Sequence, residues 1–78
     1  MTMTVINAIV NTLTVGMDFD TTLATVKKFT DDFSATIPSA DDFGYIHVGD
    51  TWGDSVVLSF DDNDKLDNID IGTLDDFD

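Results

Sequence analysis

Every acidic residue in this chain is aspartate. There are sixteen, with no glutamate and no arginine, against three lysines, Lys27, Lys28 and Lys65, so the formal net charge is −13 over 78 residues. Aspartate is a turn and helix-cap residue, and glutamate is the better helix former. Most of the sixteen accordingly fall in predicted turns, caps or the C-terminal tail. The charge exceeds what dispersion in water requires, roughly 2–8 for a small domain. Self-repulsion at this level works against a compact state. A cationic partner, a bound cation or a salty environment has to offset it.

The chain is nonetheless not an acidic disordered tail. Apolar residues make up 42% of it, with six Phe, one Trp and one Tyr, and disordered acidic segments have few aromatics. The expectation is one small folded domain over residues 1–73 with an acidic exterior, followed by an acidic tail at 74–78. A domain this size buries only about 60% of its unfolded-chain surface. No cysteine is present to add a disulfide or a thiolate metal site. No 18-residue apolar run can span a membrane. Met1, Thr2, Met3 and Thr4 lack the basic start of a signal peptide. These features point to a cytosolic protein, or one acting in the cytosol of a host cell. The charge disfavours nucleic acid and anionic lipid as direct ligands, because both are polyanions.

Hydrophobic spacing gives the elements. Val5, Ile6, Ile9, Val10 and Leu13 form one stripe of a short helix at about 4–13. The competing possibility is a strand in which Leu13, Val15, Met17 and Phe19 alternate with polar residues, with Gly16 favouring a break. Leu23, Val26, Phe29, Phe33 and Ile37 recur at intervals of three and four. They predict a second helix at about 21–35, capped by Asp20 and stopped by Pro38. Residues 39–43 are a loop. Tyr45 to Val48, between Gly44 and Gly49, reads as a strand. Residues 50–54 make a turn that carries Trp52. Ser55 to Phe60 alternates, with Val56, Leu58 and Phe60 on one face. A polar loop, Asp61 to Asp64, then leads to a second arm over 66–71, forming a hairpin. The predicted fold is α+β, with two N-terminal helices packed on one face of a three-stranded antiparallel sheet.

The candidate functional residues are the loop and hairpin aspartates with their neighbouring aromatics. They are Asp31, Asp32, Asp41, Asp42, Asp50, Asp54, Asp61, Asp62, Asp64 and Asp67, with Phe43 and Trp52 as apolar anchors. Carboxylates two apart on a strand stand roughly 6.6 Å apart, and neighbours three or four apart on a helix about 5–6 Å. Such spacings can imitate the phosphates of a nucleic-acid backbone. The alternative is a solvated or salt-adapted surface. An exposed aromatic ringed by carboxylates suits a basic protein surface. The alternative for Trp52 is that it covers the edge of the core.

Other chemistry finds little footing. Asp61 to Asp70 is rich in Asp and Asn, but a calcium loop of the EF-hand type needs a glycine that is absent in either register. His47, the only histidine, lies on a predicted strand between Ile46 and Val48 and reads as packing. No nucleophile elbow, phosphate loop or zinc-protease motif is present. The expectation is a non-enzyme with no cofactor, no metal and no catalytic residue.

Two stretches carry a resemblance. Val15-Gly-Met-Asp-Phe-Asp-Thr-Thr-Leu-Ala-Thr-Val resembles the start of the second helix in BamE/SmpA-type modules. Val56 to Asp70 resembles their hairpin, with Trp52 just ahead. The resemblance implies an αα-βββ layout, shared in outline with β-lactamase-inhibitor-protein repeats. The hairpin glycine and the lipoprotein cysteine of that family are absent here. In size and charge the chain also resembles small acidic phage-encoded inhibitors, including anti-CRISPR proteins and DNA mimics. That likeness implies a partner with a basic nucleic-acid-binding surface. Two other possibilities stay open: an immunity-type or adaptor module that binds a basic protein without nucleic-acid competition, and a halophilic or phage structural domain.

Overall fold

The computed structural model describes residues 3–49 and 54–72. The chain forms α1 (Met3–Thr12), α2 (Phe19–Phe29), β1 (Phe33–Thr36), β2 (Tyr45–Gly49), β3 (Ser55–Phe60) and β4 (Leu66–Gly72). The four strands make one antiparallel sheet in the order β1-β2-β3-β4. The α+β class and the order of helices before strands agree with the sequence. The sheet has four strands rather than the predicted three.

The extra strand comes from the end of the predicted second helix. That helix stops at Phe29, and Thr30 is already extended (φ −160°, ψ 156°) while its N–H still bonds the Val26 carbonyl. Thr30 is β-branched and two aspartates follow, so three poor helix formers stand in a row. The Thr30 hydroxyl then accepts the Asp32 N–H at 3.0 Å and turns the chain outward. Phe33 and Ala35 pair with Val48 and Ile46, and Ser34 and Thr36 with His47 and Tyr45. The spacing of Phe33 and Ile37 imitated a helical stripe, but Phe33 is half-buried and Ile37 is exposed.

At the other end of α2 the cap is Asp18 rather than Asp20. Its Oδ1 accepts the Thr21 N–H at 2.7 Å, while Asp20 lies in the first turn. The N-terminal segment is a helix, so the alternative strand over Leu13–Phe19 does not form. Thr22 and Thr25 of α2 are buried. Their hydroxyls donate to the carbonyls of Asp18 and Thr21, at 2.8 and 2.9 Å. A threonine bonded in this way enters a core with its polar atom satisfied.

One buried cluster takes in Ile6, Ile9 and Leu13, Phe19 and Val26, and the inward residues of the sheet, Ile46, Val48, Val56, Leu58, Phe60 and Leu66. The register explains the choice. Val48 opposes Val56 and Ile46 opposes Leu58, so their side chains share a face. Leu58 opposes Ile69 and Val56 opposes Ile71 on the same side. The other face carries the rows Ser34, His47, Val57, Asp70 and Thr36, Tyr45, Ser59, Asn68. His47 is therefore a half-buried strand residue beside Ser34 and Val57. A register shift between Ser59 and Phe60 lets Phe60 oppose Leu66.

Candidate functional site

The antiparallel register collects one set of loops at one end of the sheet. There β1 and β3 finish and β2 and β4 begin. Main-chain hydrogen bonds bring the start of α2 to the same place. The Phe19 N–H donates to the Asp64 carbonyl at 2.9 Å, and Gly16 N–H to the Leu66 carbonyl at 2.8 Å. Leu66 N–H returns to the Met17 carbonyl at 2.6 Å, and Asp18 and Lys65 form a bridge between backbones. The Phe60 N–H reaches the Gly44 carbonyl at 3.2 Å, which ties in the β1–β2 loop.

Asp18, Asp20, Asp41, Asp42, Asp61, Asp62, Asp64 and Asp67 all belong to this end, and Lys65 is the one described lysine among them. Asp31 and Asp32 lie at the far end, before β1 and next to Lys27 and Lys28 in the last turn of α2. Asp54 precedes β3, also at the far end. Asp70 is partway along β4, opposite Val57. The macrodipole of α2 is matched by this arrangement, with Asp20 in its first turn and the two lysines in its last.

The predicted site thus divides. Asp41, Asp42, Phe43, Asp61, Asp62, Asp64 and Asp67 come together, while Asp31, Asp32 and Asp54 do not join them. Asp50 and Trp52 lie outside the described residues, as do residues 74–78. Sequence reasoning left Asp18 and Asp20 out of the site because it placed Asp20 only as the cap of the second helix and Asp18 only among the polar residues of the competing strand. It left out Ile37 because that residue fitted a helical stripe. The signal was Pro38, which ends any regular element and leaves the residue before it extended.

The β3–β4 turn is held by its own first aspartate. Asp61 Oδ1 accepts the N–H of Asn63 at 2.9 Å and of Lys65 at 3.0 Å. Asp64 occupies the left-handed region at φ 62°. Asp and Asn tolerate that region better than other non-glycine residues, so Asp64 fits this turn position without a glycine. Asp42 is fixed in a similar way, its N–H donating to Ser39 Oγ at 3.2 Å and its carbonyl accepting the Ser39 N–H at 2.9 Å. Hydrogen bonds from Thr21, side chain first and then main-chain N–H, hold the Asp18 carboxyl below its ordinary value of 3.8. Lys65 adds a smaller pull in the same direction, against a desolvation that raises the value.

A shallow cleft of about 360 Å³ opens among these pieces, lined by Asp18, Phe19, Asp20, Ile37, Pro38, Asn63, Asp64 and Lys65. Ile37 is 74% exposed and Phe43 67% exposed, and both belong to the β1–β2 loop. The end is therefore acidic with apolar side chains set in it. Among the described residues, no three His, Cys, Asp or Glu side chains are placed to hold a metal ion. No described helix is long and apolar enough to cross a membrane. Compared with protein-family models, curated proteins and solved structures, the chain gives no match.

Proposed function

We propose that the chain is a non-enzymatic acidic binding module that occupies the cationic nucleic-acid-binding surface of a partner protein. In its most specific form it is a phage-encoded inhibitor of a host enzyme or defence complex, of the anti-CRISPR kind, acting in the host cytoplasm. In this picture the two helices lie on the apolar face of the sheet and the acidic end does the binding. The observation that carries it is the gathering of eight aspartates and one lysine at a single end. Such an end presents a focused negative potential, which speeds encounter with a positive groove and makes association salt-sensitive. Aspartate serves this purpose well, since its short side chain keeps charge near the backbone at small entropic cost.

The exposed Ile37 and Phe43 support a second possibility, an adaptor that grips a basic protein surface without displacing nucleic acid. Apolar side chains inside a charged rim are the usual anatomy of a protein–protein contact. One experiment separates the two. The protein is immobilised and used for capture from host lysate at low and at high salt. Captured partner is then challenged with duplex DNA or RNA. Release by nucleic acid supports the mimic, and retention supports the adaptor. The triple variant Asp61→Asn, Asp62→Asn, Asp64→Asn should capture on the order of tenfold less. Asparagine at 61 keeps the acceptor that holds the turn, so folding is preserved. Unchanged capture by the triple variant would overturn the assignment to this end.

A further inference from the structure

We infer that the free edge of β1 is a docking strand for an extended, basic segment of the partner. The hydrogen-bond pattern decides which groups of β1 are available. Gly49 N–H donates to the Asp32 carbonyl at 2.9 Å, and the register places 32 opposite 49. In an antiparallel pair, residues that exchange hydrogen bonds with the partner strand alternate with residues that do not. Residues 32, 34 and 36 therefore bond to β2, and residues 33, 35 and 37 turn their main-chain groups outward. The Phe33 N–H is taken by the Asp31 carbonyl at 3.1 Å. The Phe33 C=O, both groups of Ala35 and the Ile37 N–H remain without a main-chain partner among the described residues. Ser34, Ala35 and Ile37 are exposed, so solvent reaches this row.

The two edges of the sheet differ. β4 carries Asp67 and Asp70, and its first residue is tied to the α1–α2 connection through Gly16 and Met17. Charges within an edge strand and cover over it are the ordinary guards against further pairing. β1, of sequence Phe-Ser-Ala-Thr, has neither a charge nor a proline within it. Four outward groups over five residues match one short strand added to a sheet edge.

The occupant follows from charge. Asp31 and Asp32 precede the edge, and the loop that leaves it carries Asp41 and Asp42. A strand laid along β1 would have carboxylates near both its ends, which selects lysine or arginine there and repels a second copy of this −13 chain. The inference rests on the basic-partner reading for the sign of the occupant, but it concerns a different surface from the acidic end.

The test uses the full chain, isotope-labelled for NMR, and a heptapeptide of alternating lysine and valine. Its control is the same peptide with its inner backbone nitrogens methylated, which keeps the charge and removes the ability to add as a strand. The plain peptide should bind at least about tenfold more tightly, the worth of one or two net hydrogen bonds. The amides of Ala35 and Ile37 should shift and exchange more slowly. Ala35→Pro removes only an outward N–H, a substitution edge strands accept, and it should bring plain-peptide affinity down to that of the methylated one. Should that variant fail to fold, the comparison of the two peptides still decides. Equal binding of the two peptides overturns the edge and leaves the basic-partner reading intact. Binding of neither at low salt overturns both. A dimer of the chain that closes β1 against the peptide also overturns it.

Discussion

The ring of Phe19, the first residue of α2, meets the ring of Phe60, the last of β3, edge to face with centroids 4.9 Å apart and 64° between planes. Both are buried, so this pair joins the helix start to the sheet beneath the acidic end. A core this small rarely supplies more than about 3–5 kcal/mol of net stability. Truncating a buried Phe to Ala costs about 3–5 kcal/mol. Phe60→Ala is therefore expected to leave the chain largely unfolded at 25 °C, and Phe60→Leu to remain folded with reduced stability. Urea titration followed by far-UV circular dichroism measures both. A native-like transition for Phe60→Ala would show that the pair is not the join.

Gly44 tests the β1–β2 loop. A Cβ built there would lie 2.6 Å from Pro38 Cγ and 3.1 Å from Phe19 Cδ2. Pro38 is a rigid ring, so the neighbour yields little. Gly44→Ala is expected to cost about 1–3 kcal/mol, the usual range for overpacking. Adding Pro38→Ala should recover a good part of it. A double-mutant cycle reads the coupling, and additive losses would place the strain elsewhere.

Crowded carboxylates make the fold responsive to salt. The Debye length shrinks from about 30 Å at 0.01 M to about 3 Å at 1 M, and the longest dimension of the molecule is 35 Å. At low salt the acidic end is thus unscreened across its width. Raising salt over that range should lift the Tm by about 5 °C or more, equivalent to roughly 1 kcal/mol in a domain of this size. The triple variant at 61, 62 and 64 should flatten the dependence. Asp31→Asn with Asp32→Asn should flatten it less, because that pair lies at the far end, where fewer aspartates gather and α2 closes on Lys27 and Lys28. Equal flattening by both variants would count against segregated charge.

Acid should act on the α2 cap in the opposite sense to its relief of repulsion. The folded-state pKa of Asp18 lies below its ordinary 3.8. Its stabilising contribution is therefore complete above that value and is lost as pH falls through the lowered one. Asp18→Ala should melt earlier than wild type at pH 7, and the gap should narrow as the pH drops below 3.8. Thermal melts across the acid range check this, and a gap that stays constant would exclude the charged cap as its source.

Much of the fold is legible from residue spacing alone. Val56, Leu58 and Phe60 alternate and are all buried, and Ile6 and Ile9 mark the buried face of α1. β1 was not legible. Its four residues, Phe-Ser-Ala-Thr, do alternate apolar and polar, but over too short a run to compete with the spacing of Phe33 and Ile37, which extends the rhythm of α2. Only the partner strand, more than ten residues later, makes it a strand. The grouping of aspartates was hidden for a related reason. Asp18, Asp41 and Asp64 are far apart in sequence, and the strand order alone brings their loops to one end. The separation of Asp31 and Asp32 from Asp41 and Asp42 follows from one pass of β1 across the sheet. The Asp18 cap was obscured by Asp20, an equally good capping residue two positions on.

The two lysines at the close of α2 have a consequence beyond that helix. With most carboxylates heaped at one pole and the two lysines offsetting the few aspartates at the other, an external field turns the molecule as well as pulling it. A copy drifting toward a cationic wall rotates before contact and arrives pole first. Productive collisions then make up a larger share of all collisions than random tumbling would allow.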